Sequence, residues 1–259
     1  MSQASKEIKK YAGDWITAGV VAGVFTLYLE LAPAHARQFQ INDPKISHSF
    51  ANPQIINDTK LYLLVFVIPV LILTIVSYLK AGTRFVKTAH LSILGLFLSF
   101  VLTGFLTDLL KIWISRPRPD FMSRCLPKEG TPLDKYVSLE VCTQTSYFLL
   151  NDGLKSCPSG HSSLSMSGAL FLCLWLNGQF KLFNSNKPLW MQLSSWSYVL
   201  VALFVAISRH IDYRHHVEDI LLGLLIGGSC SYYVYFRYFP ALGSSESDLS
   251  LDEVSVLPK

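Results

Sequence analysis

The sequence predicts an all-α protein, a polytopic membrane bundle of six transmembrane helices with an active site at one membrane face. Two observations lead there. Only 15% of the 259 residues are charged and 51% are apolar, whereas a soluble domain carries about a quarter charged residues. The apolar residues also gather into runs near the roughly 20 residues that a spanning helix requires. The same composition excludes disordered, collagen-like and disulfide-scaffold classes. A net charge of +4, carried in short clusters between apolar runs, argues against a nucleic-acid partner.

Taken in order, the first apolar stretch runs from Trp15 to Ala32, the second from Leu61 to Leu79 and the third from Leu91 to Leu110. The fourth, Ser163 to Leu176, and the fifth, Trp196 to Ile207, have shorter apolar cores. Small residues (Ser165, Ser167, Gly168, Ala169, Ala202, Ala206) extend both and suit helix–helix contact. The sixth runs from Ile220 to Phe239, with Gly223, Gly227 and Gly228 permitting close backbone approach. Trp15, Trp190, Trp196 and Tyr238 stand near the proposed ends, as interfacial aromatics do.

Residues 1–242 read as a single membrane domain, and the Ser- and acid-rich residues 243–259 read as a disordered tail. Lys6, Lys9 and Lys10 precede a first run too long for a signal core, so that run reads as a signal anchor. Lys and Arg are nearly balanced between the two faces, Lys259 included. The compact Lys80, Arg84, Lys87 cluster favours cytosolic termini. In either orientation the first-to-second, third-to-fourth and fifth-to-sixth loops share one face. Asn57-Asp58-Thr59 on that face is a glycosylation acceptor pattern, common by chance. Cys173 and Cys230 lie within spans as small fillers. Cys125 and Cys142 share the third-to-fourth loop, where a lumenal placement would permit a disulfide.

Three polar clusters lie at the boundary of that face. Each alone has an ordinary structural reading. Lys111 and Arg118 could snorkel from the end of the third span, yet Pro117 and Pro119 break the helix and free the two cations to converge on a phosphate. Pro158-Ser159-Gly160-His161 could be a plain turn. It also opens a helix, whose first amides and positive dipole end attract anions, and it adds a hydroxyl and a titratable imidazole. Ser208-Arg209, His215 and Asp219 could be a solvated loop, since His210, Asp212, Arg214, His216 and Glu218 stand beside them. Against that, His215 and Asp219 share a face if helical. A carboxylate on one ring nitrogen would leave the other lone pair free, with imidazole as nucleophile. Arg209 brings a fork suited to phosphate. Together the clusters place three cations, two histidines, a carboxylate and helix-start amides on one face, matched to a phosphoryl group. No residue set has the spacing of a zinc site, and there is no Walker-type loop.

The pattern Lys-x6-Arg-Pro, Pro-Ser-Gly-His, Ser-Arg-x5-His-x3-Asp resembles that of the type 2 phosphatidate phosphatases, or lipid phosphate phosphatases. It is matched at Lys111, Arg118 and Pro119, at Pro158 to His161, and at Ser208, Arg209, His215 and Asp219. The flanks (Asp120-Phe121, Arg124-Cys125, Cys142, Tyr213 to His216) look most like the fungal diacylglycerol pyrophosphate phosphatase branch. The resemblance implies six spans, a metal-free and cofactor-free reaction, and a lumenal or extracellular site. It implies His215 as nucleophile through a phosphohistidine, Asp219 as its orienting partner, and His161 as acid and then base. Lys111, Arg118, Ser159, Gly160 and Arg209 would hold the phosphate.

The expected function is therefore hydrolysis of diacylglycerol pyrophosphate, phosphatidate and lysophosphatidate in an endomembrane (vacuole, Golgi or endoplasmic reticulum). An isoprenoid or dolichyl diphosphate phosphatase is the alternative within the fold. A vanadate-dependent peroxidase shares the motifs but is soluble. A transporter or non-catalytic lipid-binding protein is the alternative of another class. It would draw on Asp14, Glu30 and Asp108, acids in or near spans, but Asp14 and Glu30 lie near span ends and Asp108 can pair with Lys111.

Overall fold

The computed structural model describes residues 8–183 and 187–256. Lys6, Lys259 and the last residues of the tail lie outside them. Four helical runs are long and apolar enough to cross a membrane: Ala12–Leu29, Asp58–Ile114, Leu189–Ile211 and Val217–Tyr238. The all-helical class stands, relieved among the described residues by one two-stranded antiparallel pairing, β1 (Phe39–Gln40) on β2 (Tyr136–Val137).

Helix α1 (Ala12–Val24) continues through a wide π turn to Leu29 and leaves Ile16, Val20 and Leu27 uncovered, an apolar face suited to lipid. The 57-residue run contains α2 (Asp58–Tyr62), α3 (Ile68–Ala81) and α4 (Phe85–Ile114). It bends where Gly82 takes φ 53°, a conformation that costs glycine little. Ring pairs Tyr78–Phe85, Phe66–Phe97 and Tyr62–Phe100, at 5.6, 6.2 and 5.8 Å, show that α3 folds back antiparallel along α4.

Helix α7 (Gly160–Gln179) fills the centre, with Phe171, Leu172, Cys173 and Trp175 fully buried. Its serines depress its hydropathy, and burial among helices explains them. Ser167 meets Ser99 at 2.6 Å, and Thr107 donates to Ser163 at 2.9 Å. Its neighbours are α4, α9 (Tyr198–Ile211, preceded by α8, Leu189–Trp196) and α10 (Val217–Tyr238). Backbone contact with α10 is very close. A Cβ on Gly223 would lie 2.6 Å from the Ser159 carbonyl oxygen, and one on Gly227 would lie 2.0 Å from that of Ser163. These glycines fix α10 against the first turn of α7, the turn that carries Ser159 and His161.

At the same end, the loops build a cap. Helix α5 (Phe121–Cys125) and helix α6 (Tyr147–Gly153) enclose a small core of Phe39, Ile46, Phe121, Cys125 and Leu154. A Cys125–Cys142 disulfide closes it, as the sequence permits. At the opposite end, the expected disordered tail is ordered over residues 243–256. Asp248 pairs with Lys181 at 2.9 Å and Arg84 at 3.8 Å. Asp252 pairs with Lys87 at 2.8 Å and also with Lys10. Ser250 and Glu253 form a capping box on α11 (Leu251–Val254). The tail has too little apolar surface to fold alone; the basic end of the bundle supplies its counter-charges.

The glycine contact yields a test. Gly227→Ala forces α7 and α10 apart and costs about 1–3 kcal/mol, the usual range for overpacking. Gly19→Ala, with nothing within 4 Å of its added methyl, leaves the thermal midpoint of the purified protein unchanged.

Candidate active site

The first cluster is freed by the end of α4. Lys111 sits in its last turn, Ser115 takes φ 45° after it, and the chain leaves the helix toward Pro117 and Pro119. Lys111 pairs with Asp108 at 2.8 Å, the pairing the sequence allows. Arg118 is anchored along its length: Nε donates to the Asp152 carbonyl at 2.7 Å and Nη2 to the Asp152 carboxylate at 2.7 Å. Its Nη1 donates to the Arg214 carbonyl at 3.1 Å and lies 3.0 Å from His215 Nε2.

Ser159 caps α7, with its side chain accepting from the Ser162 amide at 3.4 Å. Its own amide donates to the Asp219 carbonyl at 2.9 Å. Gly160 has a local reason: a Cβ there would stand 3.0 Å from the Lys111 ammonium nitrogen. His161 Nε2 donates to the Ile56 carbonyl at 3.2 Å, so the first-to-second loop holds this ring. The same loop brings Gln54 to Arg209 at 2.7 Å, while Arg209 also pairs with Asp212 at 2.8 Å.

His215 donates from Nδ1 to the Ser156 carbonyl at 2.6 Å. The proton therefore sits on Nδ1, and the Nε2 lone pair accepts from Arg118. Burial, then the nearby Arg118 and Lys111 cations, hold His215 well below the ordinary histidine pKa. The ring is thereby held in its neutral form.

Asp219 is placed differently from expectation. Its carboxylate accepts from Ser156 Oγ at 2.5 Å, from the His216 amide at 3.0 Å and from Arg116 at 2.8 Å; the His215 ring is held instead by Ser156. The reason is local. Helix α10 begins at Val217 with His216 as its cap, so His215 precedes the helix and the four-residue helical spacing does not apply. Asp219 reaches the imidazole at one remove, through the two ends of Ser156.

Lys111, Arg118, Gly160, His161, Arg209 and His215 line one cavity of about 340 Å³. Ser159 stands behind it as the cap of α7, and Asp219 behind His215. Among the described residues no group of His, Cys, Asp and Glu could hold a metal ion. Sequence reasoning missed Asp152, whose carboxylate pairs with Arg118 at 2.7 Å, Arg124 at 2.7 Å and Arg214 at 3.2 Å. Although burial opposes it, those three guanidiniums hold Asp152 well below the usual carboxylate range. Arg124 is also gripped by Asp120 at 2.9 and 2.8 Å, and Phe50 stacks on Arg124 and Arg214 at 4.8 and 5.2 Å. The Asp120 and Arg124 spacing of four was the readable signal.

Residues 92–242 match the PAP2 superfamily. The chain is 38% identical over 227 residues to diacylglycerol pyrophosphate phosphatase 1 of Saccharomyces cerevisiae, covering 84% of this chain and 78% of that one. It is 36% identical to a probable diacylglycerol pyrophosphate phosphatase 1 of Schizosaccharomyces pombe, covering 96% of this chain and 90% of that one. It is 34% identical to lipid phosphate phosphatase 2 of Arabidopsis thaliana, over 69% of this chain and 60% of that one. No solved structure matches it significantly.

The depressed pKa of His215 fixes the sign of a pH effect. Its neutral form persists as pH falls through the ordinary histidine value of about 6.5. The acid limb of kcat/KM due to the free enzyme's nucleophile therefore lies below that value. A limb at or above it means that His215 is not held neutral.

Proposed function

The chain belongs to the PAP2 superfamily, and on that premise we propose an integral membrane lipid phosphate phosphatase acting on diacylglycerol pyrophosphate, phosphatidate and lysophosphatidate. The observation that carries the mechanism is the Nδ1–H bond from His215 to the Ser156 carbonyl, at 2.6 Å. It commits one ring nitrogen and turns the other lone pair to a cavity walled by cations.

In this reading His215 Nε2 attacks the terminal phosphorus in line. The bond to the leaving oxygen breaks as the P–N bond forms, and Arg118 moves its Nη1 hydrogen bond from His215 to a phosphoryl oxygen. Lys111 and Arg209 share the remaining equatorial charge, and the α7 amides add theirs. His161 protonates the leaving alcohol or phosphate monoester, then takes a proton from the water that cleaves the phosphohistidine and releases phosphate. Ser156 holds the ring through this sequence, and Asp219 with Arg116 holds Ser156. Three fixed cations give the charge neutralisation that a metal ion would otherwise provide.

We read six crossings, with α7 as the fourth and the 57-residue run crossing twice around Gly82. Both termini are then cytosolic and the site lumenal, in an endomembrane. Two observations support the orientation: the Cys125–Cys142 disulfide stands at the site end, as an oxidising compartment allows. Lys10, Arg84, Lys87 and Lys181 stand at the other, as cytosolic positive charge does.

Purified protein releases phosphate from these lipids in excess chelator, and vanadate inhibits it. His215→Ala abolishes both turnover and the acid-labile phosphoenzyme, while His216→Ala keeps both. Strict magnesium dependence, or a fully active His215→Ala protein, refutes the mechanism.

A second test addresses the crossings, using the burial of the three free cysteines. Cysteines replacing the exposed Phe148 and Ile211 react with an impermeant reagent from one side of sealed vesicles. Cysteines replacing Lys80 and Phe183 react only from the other. Reaction of Phe148→Cys and Ile211→Cys from opposite sides removes the shared site.

A further inference from the structure

Six cations line the cavity, and five have a carboxylate partner in contact. Lys111 has Asp108 at 2.8 Å, Arg118 has Asp152 at 2.7 Å, Arg124 has Asp120 at 2.8 Å, Arg209 has Asp212 at 2.8 Å and Arg214 has Asp152 at 3.2 Å. Lys155 is the sixth, and only 7% exposed. Among the described residues no carboxylate lies within ion-pair distance of it, and its ammonium donates to one neutral group, the Glu30 carbonyl, at 2.9 Å. Burying an ammonium without a counter-ion is costly, and proteins tolerate it where a ligand supplies the opposite charge.

The position of Lys155 says which charge. The attacked phosphoryl must sit at His215 Nε2, beside Arg118. Lys155 lines the same cavity with its ammonium held on the Glu30 carbonyl. At Glu30 a second cavity of about 90 Å³ adjoins the first, sharing the acids Glu30, Asp58 and Asp108 with it as well as Lys111 and His161, and ending among Phe25 and Leu61. The order from His215 outward is thus reacting phosphoryl, leaving group at His161, then an apolar path for the lipid. An anionic group between His161 and that path is the phosphate that stays on the lipid when a diphosphate is cleaved.

The geometry points to Lys155 as the binding residue for the lipid-side phosphate of a diphosphate headgroup, a subsite that selects diphosphate over monophosphate lipids. It rests on the phosphatase reading above. As the bond between bridging oxygen and terminal phosphorus breaks, the electron pair stays on the bridging oxygen and the lipid-side phosphate gains negative charge, which the ammonium opposes. Burial pushes the Lys155 pKa below the ordinary lysine range and Lys111 adds to this, against the pull of Asp108, Asp152 and Glu30. A second anion beside it restores the charged form.

The test compares diacylglycerol pyrophosphate with phosphatidate of identical acyl chains, using the purified full chain in mixed micelles. In Lys155→Gln the ratio of kcat/KM for diphosphate over monophosphate lipid falls by about tenfold or more, the worth of one charge-assisted contact, and Lys155→Arg restores most of it. A ratio that stays at the wild-type value in Lys155→Gln, whether both activities fall or neither does, overturns the subsite. Inhibition of the wild-type protein gives a measurement independent of folding of the variant. Methylenediphosphonate inhibits at a concentration about tenfold below orthophosphate; equal potency also overturns the subsite. A wild-type protein that cleaves neither lipid overturns the phosphatase reading itself, and the subsite with it.

Discussion

Everything at the site depends on one constraint: guanidinium groups taken out of water need carboxylates beside them. Asp152 meets that need for three arginines from three separate parts of the chain. Arg118 follows α4, Arg124 belongs to α5 and Arg214 precedes α10, and each reaches the Asp152 carboxylate within 3.2 Å. Removing one member of such a cluster leaves the others uncompensated, which is far costlier than the pairing is favourable. The cluster therefore works less as a source of stability than as a rule of assembly. The cap loops can close only in the arrangement that brings all three segments to one carboxylate. The same arrangement points Arg118 at His215. A guanidinium fixed in this way has only to exchange its His215 contact for a phosphoryl oxygen in the proposed reaction.

A second arrangement sets the histidine. Glycines on α10 let its backbone touch α7, so the Ser159 amide reaches the Asp219 carbonyl while the Asp219 side chain turns to Ser156. Ser156 then holds His215 with its carbonyl. A neutral carbonyl in place of a carboxylate has a consequence for catalysis. It fixes the tautomer without placing a carboxylate beside the ring, so in the phosphatase reading proposed above the charge that forms on the imidazole is met only at one remove, by Asp219 through Ser156. Burial, then Arg118 and Lys111, hold that ring neutral.

The motifs of the site were legible because each carries a chemical demand: a broken helix end for paired cations, a helix start for an anion, an imidazole with a partner nearby. The bundle was legible from apolar run lengths, whereas the shared loop of Cys125 and Cys142 permitted a disulfide without deciding it. What the sequence hid were relations among loops. Asp152 looked like any loop acid, because nothing local announces that three arginines converge on it. The contacts of Gln54 and Ile56 with Arg209 and His161 join residues more than a hundred positions apart. Asp219 misled for a different reason: the helical spacing to His215 was real in the sequence, but the helix starts after His215. The tail misled because composition weighs a segment alone, and its acids are satisfied by cations elsewhere.

That tail also ties together segments that lie far apart in the chain. Asp252 meets Lys10 across 242 positions and also holds Lys87. Without the tail Lys10, Arg84, Lys87 and Lys181 would lack these counter-charges at one end of the bundle. The tail thus works as a strap, drawing the start of α1, the turn between α3 and α4 and the end of α7 to one pair of carboxylates.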